Sequence, residues 1–112
     1  MSNESASGPV WDADIASALV GKVLLVGLTV ESAGAKAPQQ YQFYGTVLSV
    51  DQRKGIALAL LGNRSGESYN LPPDTRAIHV AAAGTYRLRA TGEVVVDPDF
   101  TATFSVTRPA RA

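Results

Sequence analysis

The stretch Gln39–Leu61, QQYQFYGTVLSVDQRKGIALALL, decides the fold. Tyr41, Phe43 and Val47 fall on one face of a first strand at period two. Ile56, Leu58 and Leu60 repeat that spacing on a second, as a half-buried sheet requires. Asp51, Gln52, Arg53, Lys54 and Gly55 put polar and flexible residues where the chain must reverse. Gly45 interrupts the first strand without ending it, which predicts a bend or a close approach of another backbone. Strands bent at a glycine let a small sheet curl on itself. The expected fold is all-β, a small and strongly bent barrel.

Toward the N-terminus, Trp11, Ile15, Ala18 and Leu19 recur on one helical face. Asp12 and Asp14 lie at the helix start and Gly21 at its end. This short helix is expected to cap one end of the barrel with Trp11 or Leu19. Residues 1–10, rich in Ser, Asn, Glu and Gly, read as a disordered tail. Lys22–Glu31, KVLLVGLTVE, is nearly continuous in apolar residues and so reads as a strand buried on both faces. Ser32–Pro38 is a loop of small residues.

Beyond the central pair, Gly62–Gly66 is a turn and Glu67–Leu71 a short fourth strand that Pro72–Pro73 ends. Ala77–Val80 is a short fifth strand. Tyr86, Leu88 and Ala90 then alternate with Arg87 and Arg89, and Thr91–Gly92 marks a turn. Glu93–Val96 and Phe100–Thr107 supply further β-forming residues on either side of the Asp97–Asp99 break. The reading is one domain over 11–108 with a C-terminal β-hairpin extension. Residues 84–107 are expected to fold back on the chain's own barrel and cover its edges, which predicts a monomer or at most a dimer.

The 112 residues carry 10 basic and 10 acidic side chains, a net charge of zero. That argues against a bulk electrostatic footprint for nucleic acid or an anionic membrane. The absence of cysteine excludes disulfides and thiolate chemistry. The opening MSNESASGPV has neither the basic start nor the apolar run of a signal peptide, so the expected compartment is cytoplasmic.

With the helix and first strand before it, the pattern F-x-G-x-V-x-x-V-D-x-x-x-x-I-x-L resembles the first motif of the Sm and Sm-like proteins. Here it is carried by Phe43, Gly45, Val47, Val50, Asp51, Ile56 and Leu58, and the likeness covers about residues 11–80. The resemblance implies an SH3-like or Sm-like five-stranded barrel, and with it RNA binding. The family's base-contacting residues are not matched: Gly55 stands where the Sm pattern has Asn. Thr75–Arg76, in turn, replaces its Arg-Gly pair before the last strand. The segments LPPD (Leu71–Asp74) and TGEVVVDPDF (Thr91–Phe100) also resemble a family of small bacterial proteins, a likeness that implies no activity.

No constellation for catalysis emerges, and no cofactor or metal is expected. His79, the only histidine, sits in an apolar strand with no acid or nucleophile near it in sequence and reads as a structural or surface residue. Glu93, Asp97 and Asp99 meet no known metal-loop spacing and read as turn residues. The candidate binding residues are Tyr44, as an exposed contact aromatic, and Arg76, Arg87 and Arg89, as partners for a carboxylate or phosphate. The expectation is a non-catalytic interaction module whose first-choice partner is protein, self-association included, with RNA as the alternative.

Overall fold

The computed structural model describes residues 11–32 and 37–108. The expected N-terminal tail therefore lies outside the described residues. A helix, α1 (Ala13–Leu19), is followed by β1 (Val23–Ser32), β2 (Gln39–Asp51), β3 (Gly55–Leu60) and β4 (Ser68–Leu71). Then come β5 (Ile78–Val80), β6 (Thr85–Arg87), β7 (Val94–Val96) and β8 (Phe100–Arg108). The domain is all-β but for α1. Six strands form one sheet in the order β4-β3-β2-β1-β8-β5, and β6 and β7 form a second.

β2 joins the two halves of the large sheet. Its first part, Gln39–Thr46, pairs with β1 and its second, Gly45–Asp51, pairs with β3. The ladder shifts register between Val47 and Ser49, a bulge that adds twist where the strand changes partner. Gly45 lies at this handover. A Cβ there would meet the Ala59 carbonyl oxygen at 2.5 Å and the Ala59 carbonyl carbon at 3.0 Å. The glycine is required because β3 backbone occupies the space.

The sheet curls. Six strands laid flat at about 4.8 Å spacing would hold their edges about 24 Å apart. Residues 72–77, which connect edge strand β4 to edge strand β5, include a 3₁₀ turn at Thr75–Ala77 and reach only about 20 Å. The two edges must therefore approach, and Leu71 of β4 and Ile78 of β5 share one core with Leu24, Val26, Phe43 and Leu58. No ladder joins β4 to β5 among the described residues.

Asp12 caps α1, its Oδ1 accepting from the Asp14 and Ile15 amides at 2.9 and 3.2 Å. The Asp12 amide donates in turn to the buried Thr75 Oγ1 at 2.8 Å, tying the helix start to the β4–β5 connection. Leu19, fully buried, is the α1 side chain that joins the main core. Trp11 is half-buried and instead borders a surface hollow with Asp51, Arg53 and Pro73.

Three expectations need correction. β1 is not buried on both faces: Leu24, Val26, Leu28 and Val30 are buried, whereas Val23, Leu25, Gly27 and Thr29 are half-buried. A run of apolar residues shows only that a strand is central, and β1 is central between β2 and β8. The last strand is no extension either. β8 enters the main sheet, parallel to β1 and antiparallel to β5, so only β6 and β7 form the appended hairpin. Residues of the C-terminal segment do pair with the chain's own sheet, but β8 covers one side of β5 and leaves the outer side of β4 without a ladder. Lastly, Tyr41 is 39% exposed although it has the parity of Phe43 and Val47. It lies where β2 has left β3 and pairs with β1 alone.

Candidate functional site

Asp97 and Asp99 fix the hairpin and β8 in place, and their carboxylates are spent on backbone amides. Asp97, at φ 48°, accepts from the Gly84 amide at 2.7 Å, while its own amide donates to the Gly84 carbonyl. Asp99 Oδ2 accepts from the Val23 amide at 2.9 Å, and the Asp99 amide donates to the Val23 carbonyl, starting the parallel β1–β8 register. No group of three metal-ligating side chains occurs among the described residues.

The hairpin closes over the outer face of the large sheet. Leu88 and Val95 are buried, yet neither belongs to the main core. At its turn the Arg89 amide donates to Gln42 Oε1 on β2 at 2.7 Å. Glu93 Oε2 accepts from the Asn63 amide at 2.7 Å, holding the hairpin to the 3₁₀ turn Gly62–Arg64. Tyr44 is half-buried in this contact, its ring and hydroxyl filling the space a Cβ at Gly62 would need.

Beside the docked turn lies an open groove of about 540 Å³. Its floor comes from three strands in register. Gly27 of β1 pairs with Gln42 of β2 on one side and Thr103 of β8 on the other, and Thr29 pairs with Gln40 in the next row. Arg89 and Tyr41 also line it. The lining mixes polar side chains with Leu28, Ala90 and the Tyr41 ring, and among the described residues Arg89 is the one charged side chain in it.

Gly27 is the informative residue. Its backbone is not in the left-handed region, and a Cβ built on it would meet nothing within 4 Å. Among the described residues, neither turn geometry nor close packing requires a glycine there. A glycine inside a strand weakens it, and one cause is the close approach of something outside the sheet. The groove lies directly over it.

Of the expected binding residues, Arg89 lines this groove and Tyr44 lies under the hairpin. Arg87 is exposed on β6. Arg76 lies between β4 and β5, where its guanidinium forms a two-point bond to Asp74 at 3.1 and 2.8 Å. That side-chain bond holds the Asp74 carboxyl below its ordinary range and raises the Arg76 guanidinium. Among the described residues no hydrogen bond or ion pair joins Arg76 to the elements that carry Arg87 and Arg89. His79 is exposed on β5, opposite Thr101. Sequence reading missed Gly27, Gln40, Gln42 and Thr103, because their proximity depends on strand register. The one signal in the sequence was a glycine inside an apolar run with no turn residue beside it.

Comparison with known proteins finds no match to a family model, a curated protein or a solved structure.

Proposed function

We propose that this chain is a small non-catalytic interaction module, a curled SH3-like or Sm-like barrel, that receives a polypeptide segment in the groove over Gly27. The observation that carries the reading is Gly27 itself, a strand glycine with open space above it at the base of a groove. Gln40, Gln42, Thr29 and Thr103 offer the mixed donors and acceptors that match a peptide backbone. The volume suits a short extended segment.

A nucleic-acid reading is less well supported. A single cation lines the groove, whereas a phosphate chain requires several to release counterions. Selection from a random linear peptide library on the intact protein tests the proposal, with Gly27→Val as the counter-selection. Peptides retained by the natural protein and lost on Gly27→Val support it. Failure to recover any such peptide contradicts it.

A further inference from the structure

Two side chains of the groove lining, Gln42 and Arg89, are left with donors and no free acceptor. Gln42 Oε1 faces the Arg89 amide at 2.7 Å, and because that partner is a donor, the oxygen rather than the nitrogen must point to it. The Gln42 amide nitrogen is thereby turned away with both hydrogens available. The Arg89 guanidinium, whose backbone makes that bond, has no hydrogen bond or ion pair among the described residues. Arg64 is paired with Glu67 and Arg76 with Asp74; Arg53 and Arg87 are exposed without such a partner, as Arg89 is, but of these only Arg89 lines the groove. One residue pair therefore presents donors only, beside a floor of neutral Gly and Thr and with no acid in the lining. What such a pair lacks is an acceptor carrying negative charge, and a planar carboxylate fits a guanidinium at two points.

Resting on the polypeptide reading above, we infer that the groove selects its segment by an Asp or Glu side chain, anchored between the Arg89 guanidinium and the Gln42 amide nitrogen. The segment's backbone crosses the sheet over Gly27, where the missing side chain lets it approach. A polypeptide is favoured over a phosphate chain because the donor pair accommodates one acid and no second cation lines the groove.

The test uses synthetic free peptides recovered from the library selection, with affinities measured for the intact protein, for Gly27→Val and for the two variants Arg89→Gln and Gln42→Glu. Peptides carrying Asp or Glu at a fixed position are expected. Replacing that residue by Asn or Gln weakens binding about tenfold, the loss expected for one charge-assisted bond at an exposed site. Arg89→Gln weakens the acidic peptide by the same factor and does not further weaken the amide version. Gln42→Glu keeps an acceptor for the Arg89 amide but replaces the donors by a negative charge, and it too weakens the acidic peptide. Unchanged denaturant midpoints in both variants separate these losses from misfolding.

Peptides that depend on Gly27 yet ignore Arg89→Gln overturn the carboxylate anchor and leave the polypeptide groove standing. Absence of any Gly27-dependent peptide overturns both. A uridine-rich single strand that displaces the peptides and itself depends on Arg89 overturns the inference in favour of phosphate.

Discussion

In the six-stranded sheet, ladders run unbroken from β4 to β5 and the core beneath them contains Leu24, Leu58 and Leu71, each with no exposed surface. The β6–β7 hairpin has a ladder of three residue pairs and contributes only Leu88 and Val95 as buried apolar side chains. An isolated two-stranded hairpin is marginal in water, so this one owes its order to the surface it rests on. Two routes to order meet at one place, where the hairpin turn and the outer face of β1, β2 and β8 enclose the groove. Frame and wall are thus separable: the sheet sets the floor, and the hairpin positions Arg89.

The largest expected effect lies in the sheet. Leu58→Ala leaves a cavity at the centre of the core and should cost about 2–5 kcal/mol in denaturant unfolding. Gly45→Val should cost about 1–3 kcal/mol, because the new side chain meets β3 backbone rather than a movable side chain. Equal midpoints for Gly45→Val and the natural chain would remove the strand handover as the reason for that glycine.

Leu88→Ala sharpens the comparison. It should cost less, about 1–2 kcal/mol, since the hairpin can settle onto the sheet as a unit. Hydrogen exchange should rise in Thr85–Val96 while the amides of β1 and β2 stay protected. A loss equal to that of Leu58→Ala, with uniform exchange, would make hairpin and sheet one cooperative body.

A shallower effect follows from pH. The Asp74 carboxyl is held low first by the Arg76 side chain, against some burial, and Asp51 first by the Lys54 amide and then the Arg53 amide. A carboxyl depressed on folding stabilises the fold above its unfolded value, about pH 4. The contribution is lost as pH falls through the lower, folded value. Stability should therefore decline on acidification below about pH 4. Asp74→Asn should flatten part of that decline, and an unchanged slope would contradict the assignment.

The frame was legible in the sequence because period-two alternation at Phe43–Val47 and Ile56–Leu60 maps directly onto burial. Gly45 was legible for the same reason, as an interruption inside a regular pattern. The placement of β8 was not. FTATFSVT reports that a strand forms but carries no information on which neighbour it joins, and its parallel pairing with β1 depends on the Asp99–Val23 bonds across the chain. The groove was hidden by the same limit. Arg89 could be picked out, together with Arg76 and Arg87, as a partner for a carboxylate or phosphate, but Gln42, Gly27 and Thr103 become neighbours only once β2, β1 and β8 lie in register. Tyr44 read as a contact residue; it is half-buried, with its ring and hydroxyl against Gly62 of a turn distant in sequence.

The most direct test of the central claim is the stability of Gly27→Ala and Gly27→Val, measured as denaturant midpoints on the intact chain. Gly in a strand interior costs about 0.5–1 kcal/mol relative to Ala, and at Gly27 a Cβ enters open space. If the glycine serves a ligand and not the fold, both variants should be more stable than the natural protein by about that amount, while Gly27→Val loses the selected peptides. A lower midpoint in Gly27→Ala would show that the fold itself requires the glycine, and would contradict the groove as the reason for it.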